Sequence, residues 1–212
     1  MQVLPFADRS DAGRRLGDHL AAYMGRSDVL VLALPRGGVA VGAEVARRLG
    51  AQLDVLLVRK LGVPGHEEFA MGAIASGGVR IISDDVVAAL GVSEREMALV
   101  AAAEEEELAR QERVFRGSRH FPEVSGRTII LVDDGLATGA TMRAAAAVIR
   151  RQSPARLVVA VPVAPRETCA ALSAEVDEVV CLATPEPFHS VGSWYEDFHQ
   201  TTDEEVRLML PR

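Results

Sequence analysis

The sequence predicts an α/β fold, a parallel sheet flanked by helices. Short apolar runs such as VLVLAL at 29–34 and IILV at 129–132 lack the alternation of a half-exposed strand, so they read as strands buried on both faces. Stretches of helical periodicity separate these runs, and that alternation makes successive strands parallel, with crossover helices on the sheet faces. The chain has 212 residues, 49% of them hydrophobic, which suits one domain with a substantial core. The expected organisation over 1–212 is a Rossmann-like core over about 8–183, a helical insertion over about 84–118 and a small C-terminal hood over about 184–212.

In chain order, residues 8–25 read as a helix, with Ala12, Leu16, Leu20 and Tyr23 near helical spacing and Asp8 or Ser10 as its cap. After the first strand, PRGG at 35–38 is a tight turn, and a helix over 39–49 stops at Gly50. Residues 55–58 read as a second buried strand ending in Arg59 and Lys60, with 61–67 as a loop. Residues 71–75 and 79–82 flank Ser76-Gly77-Gly78 as a hairpin. A short helix over 84–90 precedes Ser93 and Glu96, whose spacing predicts a capping box opening a helix to about Phe115. Within it Glu106 and Arg110 are expected to pair at i,i+4. Strands at 129–132, 157–161 and 178–182 then alternate with helices over 142–150 and 166–172. Residues 185–200 hold Phe188, Trp194, Tyr195 and Phe198 and are expected to fold over the carboxyl ends of the strands. Thr202 and Glu205 have the spacing to cap a last short helix.

A formal net charge of -7 argues against nucleic acid or an anionic membrane surface as the main partner. Cys169 and Cys181 make neither a disulfide framework nor a metal-ligand spacing. MQVLPFADRSDAG lacks the apolar core of a signal peptide, and no run approaches the roughly 20 apolar residues that span a bilayer. A cytoplasmic setting is expected.

IILVDDGLATGAT, residues 129–141, carries the chemistry. Its strand delivers Asp133 and Asp134 to a carboxyl end, where carboxylates suit a pair of vicinal hydroxyls. Gly135 and Gly139 free the backbone of the following turn, whose amides and helix N-terminus make an anion cradle, with Thr138 and Thr141 as extra donors. A diol at one end and a phosphate at the other describe a ribose 5-phosphate. The segment lacks the G-K-[ST] ending of a P-loop and is not GxGxxG. A receiver-like acidic pocket would need a further acidic residue after the first strand and a lysine after the last, and neither is evident.

These residues closely resemble the phosphoribosyl-diphosphate motif of the type I phosphoribosyltransferase family, and the chain is similar to a sparsely characterised bacterial branch of it. The resemblance implies that Asp133 and Asp134 hold the ribose 2- and 3-hydroxyls and that Ala137, Thr138, Gly139, Ala140 and Thr141 hold the 5-phosphate. It implies that Pro35, Arg36, Gly37 and Gly38 form the diphosphate loop, where family members often carry a cis peptide. It places Arg59 and Lys60 as basic contacts to the leaving diphosphate, so Arg59, Lys60 and Asp134 are the candidate catalytic residues. Mg2+ is implied, held by substrate and water with no direct protein ligand. The expected reaction is Mg-dependent transfer of a phosphoribosyl group to a nitrogenous acceptor, within nucleotide metabolism, by a homodimer. A non-catalytic regulator that binds phosphoribosyl diphosphate is the alternative, and a hydrolase releasing pyrophosphate to water is a third reading. Ala137 stands where the 6-oxopurine enzymes carry aspartate, which points away from hypoxanthine and guanine. For the acceptor, Val163, Pro165, Phe188, Trp194 and Tyr195 are candidates, with packing as the other reading of each. His189 and His199 are candidate acids or bases, and Glu67 or Glu68 of HEEF could touch magnesium or Arg36, a solvated loop being the plainer reading.

Overall fold

A computed structural model describes residues 5–210, apart from the side chains of residues 67 and 68. Asp8 caps the first helix, α1 (Arg9–His19), by accepting from the Asp11 amide at 2.7 Å. A 3-10 turn over Ala21–Tyr23 ends this helical stretch before residue 25. β1 (Val29–Ala33) is buried along its length. α2 (Gly37–Leu49) begins inside the PRGG turn and stops at Gly50, whose left-handed φ of 65° lets its amide close the helix end. β2 (Gln52–Val55) follows, then β3 (Val58–Val63), β4 (His66–Ala75) and β5 (Val79–Ile82). Next come α3 (Asp84–Leu90) and α4 (Glu94–Arg116), the latter opened by the Ser93–Glu96 capping box. The second half alternates β6 (Thr128–Val132), α5 (Ala140–Arg150), β7 (Arg156–Val163), α6 (Arg166–Ser173) and β8 (Glu178–Ala183). Thr202 and Glu205 box the start of α7 (Asp203–Met209).

The core sheet runs β2-β1-β6-β7-β8, with every pairing parallel. Side-chain alternation splits its interior between two layers. Val29, Val31, Ile130 and Val132 pack with α1, α2 and α4, while Leu30, Leu32, Ile129 and Leu131 pack with α5 and α6. The order of connection reverses between β1 and β6, and such a switch point leaves a crevice beyond the carboxyl ends of the strands. Ala33 is in register with Val132, so the segments that follow β1 and β6 emerge side by side.

The expected strand at 55–58 is two elements. β2 leaves the parallel sheet at Val55, and Val58 opens an antiparallel sheet ordered β3-β4-β5. Leu56 and Leu57 are buried at the junction, so the apolar run continues unbroken across the change of sheet. Most of the expected loop at 61–67 is therefore strand: β3 continues to Val63 and β4 begins at His66. The Ala75–Val79 hairpin stands as expected. Arg116 fastens α4 to the end of β2: it lies 3.2 Å from Asp54, donates to the Val55 carbonyl at 2.7 Å, and both side chains are buried. On the exposed face of α4, Arg110 pairs with Glu107 at 2.7 Å and not with Glu106, one turn being closed at i,i+3. No helix among the described residues is long and apolar enough to cross a membrane.

Candidate active site

The segments after β1 and β6 touch. The Leu34 amide donates to the Val132 carbonyl at 2.9 Å, carrying the strand pairing into the PRGG turn. Both glycines of that turn are sterically required. A Cβ on Gly38 would meet the Asp133 Cα and the Val132 carbonyl at 2.8 Å, and one on Gly37 would lie 1.9 Å from Asp134 Oδ2. The turn therefore rests directly on the acidic pair. The Pro35–Arg36 peptide is cis.

Each carboxylate commits one oxygen to the protein. Asp133 Oδ1 accepts from the Asp134 amide at 2.8 Å, and Asp134 Oδ2 accepts from Arg9 Nε at 2.7 Å. The two carboxyl groups also hydrogen-bond each other, and among the described residues no other residue's N–H or hydroxyl donates to Asp133 Oδ2 or Asp134 Oδ1, which leaves acceptor capacity suited to two hydroxyls. Burial, and then the neighbouring Asp134 charge, push the Asp133 carboxyl well above the ordinary carboxylate range. Burial also raises Asp134, with the Arg9 guanidinium opposing the shift. The Tyr195 hydroxyl donates to the Asp134 carbonyl at 2.5 Å, and burial raises that phenol strongly.

The glycine loop continues from the pair into α5. Gly139, at φ 72°, caps the helix in a left-handed conformation, and a Cβ there would meet Thr168 Cγ2 at 2.7 Å. Thr168 Oγ1 donates to the Ala137 carbonyl at 2.9 Å, bracing the loop from α6. Ala137, Thr138 and Thr141 are exposed and Ala140 is half-buried, so the opening turn of α5 is accessible to an anion.

The predicted basic residues are placed differently from expectation. Arg59 and Lys60 do not end a core strand; they lie inside β3, where neighbours face opposite ways. Arg59 turns to α4 and pairs with Glu104 at 2.6 Å. Lys60 lines a cleft of about 580 Å³ with Gly72, Ser83, Ala140 and Arg143, between the antiparallel sheet and α5. Arg36 reaches away from the carboxylates to Asp203 at 3.3 Å, beside a cavity of about 210 Å³ walled by α4. Thus 35–38, Asp133, Asp134 and the 137–141 loop are brought together, Lys60 borders that loop through Ala140, and Arg59 is held apart. The HEEF segment opens β4, and the side chains of residues 67 and 68 lie outside those described.

Of the acceptor candidates, Val163 and Tyr195 are buried in a small cluster with Phe6 and Ala183, against which Phe188 and Trp194 pack. Tyr195 stacks on Phe6 and Phe198 at 5.4 and 5.0 Å between ring centroids. His199 Nδ1 contacts Asp197 at 3.1 Å. Two site residues have no local sequence signal. Arg9 is separated from Asp134 by 125 residues, and Thr168 sits in an unremarked first turn of α6.

The molecule is an open parallel-sheet α/β protein with a carboxylate pair and a glycine loop at its switch point. The chain belongs to the phosphoribosyl transferase family: the model of the phosphoribosyl transferase domain matches residues 9–197. Two Mycobacterium tuberculosis proteins, named "Putative phosphoribosyl transferase" MT0597 (strain CDC 1551) and Rv0571c (strain H37Rv), are each 48% identical over 207 residues. The match covers 98% of this chain and 46% of each relative, so the chain spans about half the length of the curated relatives it matches. The crystal structure of TT1426 from Thermus thermophilus aligns with a TM-score of 0.87 at 43% identity, over 98% of both chains. The AQ2163 protein from Aquifex aeolicus, at 13% identity and TM-score 0.52 over 87% of this chain and 78% of its own, shares the fold.

Proposed function

We propose that this domain binds 5-phosphoribosyl diphosphate and transfers its phosphoribosyl group to a nitrogenous acceptor such as a nucleobase, releasing pyrophosphate. The observation that carries the reading is the buried carboxyl pair, Asp133 and Asp134, between the PRGG turn and the 137–141 loop, whose Oδ2 and Oδ1 respectively take no hydrogen bond from outside the pair among the described residues. They accept from the two ribose hydroxyls, while the amides that open α5 hold the 5-phosphate. The turn at 35–38 then faces the diphosphate. With the ribose fixed at both ends, its anomeric carbon is aligned for displacement: the bond to the diphosphate oxygen breaks and a bond to the acceptor nitrogen forms. Backbone amides of the turn and the Lys60 ammonium meet the charge that develops on the leaving group.

Among the described residues, no three His, Cys, Asp or Glu side chains converge on a metal-sized point. A magnesium ion here would take its oxygens mainly from substrate and water, the usual arrangement for a phosphate-borne Mg2+, and supply charge neutralisation to the diphosphate. The second reading, a regulator that binds the same ligand without turnover, is favoured by one observation. Arg36 and Arg59, two cations assigned to the leaving group, are both engaged in ion pairs, with Asp203 and Glu104.

Calorimetric titration with phosphoribosyl diphosphate and magnesium tests the reading, with a double Asp133→Ala/Asp134→Ala variant alongside. Micromolar binding abolished in the variant is expected, followed by pyrophosphate release with at least one of a panel of bases. Binding without release from any base would favour the regulator, and equal binding by both proteins would remove the carboxylates from the site.

A further inference from the structure

We propose that Arg9 is a positioning residue for ribose recognition: it holds Asp134 charged and turned so that one oxygen stays open to a hydroxyl. The inference rests on the ribose reading of the acidic pair. Three contacts fix the guanidinium. Nε donates to Asp134 Oδ2 at 2.7 Å, Nη1 donates to the His199 carbonyl at 2.7 Å, and the Phe198 ring lies 3.9 Å from Cζ. The side chain is only 9% exposed, and Asp134 15%, so little water screens the pair. A planar fork can satisfy a carboxylate, a carbonyl and an aromatic face together, and a lysine ammonium, with no flat face to stack and no preorganised fork, reproduces this only in part.

The backbone arrangement makes this placement specific. α1 lies close against α2 because a Cβ on Gly13 would meet the Val41 carbonyl at 2.6 Å. That approach sets the first turn of α1 beside the carboxyl ends of the strands. The missing Cβ of Gly37 would lie 3.1 Å from Arg9 Nε as well as against Asp134 Oδ2, so the PRGG turn closes over the ion pair. Arg9 thus meets the diphosphate turn, the ribose carboxylate and the C-terminal tail at one point. Arg9 opposes the rise that burial imposes on Asp134; without it the two adjacent carboxyl groups would have no buried counter-charge, and the pair would hold a proton to higher pH.

The other ionisable groups around this point are Asp133 and Asp134 after β6, Tyr195, Asp197 and His199 in the tail, Asp8 beside α1, and Glu205 of α7; Asp8, Arg9, Asp197, His199 and Glu205 line one cavity of about 160 Å³. Arg36 is turned to Asp203. His199 engages Arg9 through its main-chain carbonyl, so His199→Gln removes the imidazole while keeping that contact.

The test is the affinity for phosphoribosyl diphosphate with magnesium, measured by calorimetry from pH 5.5 to 9 for the parent, Arg9→Met, Arg9→Lys, Phe198→Leu and His199→Gln. Arg9→Met is expected to weaken binding at least tenfold at pH 7, with the deficit largest at low pH because the acid limb moves upward. Arg9→Lys should return the acid limb toward its parental position while recovering only part of the affinity. Phe198→Leu should weaken binding a few-fold with no change in limb, and His199→Gln should leave the limb in place. Arg9→Met binding within twofold of the parent, or a loss of equal size at every pH that Arg9→Lys does not relieve, would overturn the proposal. Should Arg9→Met fail to fold, Arg9→Gln, which removes the charge while keeping a donor for Asp134, carries the same comparison. A parent that binds nothing would sink the ribose reading, an outcome separate from a parent that binds and an Arg9→Met protein that binds equally well.

Discussion

Asp133 and Asp134 stand where carboxylates are costly. They are adjacent, largely withdrawn from water and, among the described residues, served by the Arg9 counter-charge. Both are raised above their ordinary range, so in the ligand-free protein the stability they contribute is complete below the unfolded carboxylate pKa and is lost as pH rises through the raised native values. Asp133→Asn keeps an oxygen to accept from the Asp134 amide and removes one of the two charges. Thermal melts of the ligand-free variant should therefore rise at pH 7 by about 1 kcal/mol, or about 2–4 °C in a chain of this size, with no gain at pH 4. Affinity for phosphoribosyl diphosphate should fall in the same protein, and a variant that melted lower at pH 7 would contradict the account. The acidic pair was legible in the sequence because strand, carboxylates, glycines and threonines are contiguous there. Arg9 was not: its role depends on two glycine-lined faces, of α1 and of the PRGG turn, that only tertiary packing brings to Asp134.

At the scale of elements, β3 decides what two adjacent basic residues do. A strand sends successive side chains to opposite faces, so Arg59 meets α4 and Lys60 faces the cleft toward α5. Arg59→Ala should lower stability by less than about 1 kcal/mol, since its partner pair is partly exposed, and leave ligand affinity nearly unchanged. Lys60→Ala should leave the melt unchanged, weaken phosphoribosyl diphosphate binding several-fold and flatten the salt dependence of that binding. Paired melts and titrations separate the two, and equal losses of affinity would place both side chains on the ligand. The sequence marked this basic pair but misplaced its strand. Residues 53–58, LDVLLV, are apolar at all but one position across two sheets, and hydrophobic pattern alone carries no mark where a parallel strand ends and an antiparallel one begins. The capping boxes at Ser93 and Thr202 were readable because a cap is a local bargain between a side chain and amides three residues away.

Across the whole molecule, the crevice joins parts that are distant along the chain. The PRGG turn follows β1, the carboxylates and the 137–141 loop follow β6, and the tail returns to bond the Asp134 carbonyl and shield Arg9. The parallel sheet sets the first two side by side through one register, Ala33 against Val132, and the Phe6–Tyr195 bridge brings the segment before α1 to the tail segment after β8. A ligand that contacts the turn, the pair and the loop can bind only when both halves of the sheet are assembled, so it has no comparable site on the unfolded chain. Its binding free energy then adds directly to stability. At a ligand concentration one hundred times Kd, that is about 2.7 kcal/mol, or a rise of roughly 5–10 °C in Tm for a chain of this length. Phosphoribosyl diphosphate with magnesium should produce this rise in the parent and none in the Asp133→Ala/Asp134→Ala protein. On the proposed reading pyrophosphate with magnesium would reach only the turn and Lys60, and ribose 5-phosphate only the pair and the loop, so each alone should give a smaller shift. If pyrophosphate matched the full ligand, recognition would rest on the turn at 35–38, and the carboxylates would have to be assigned a role other than holding the ribose.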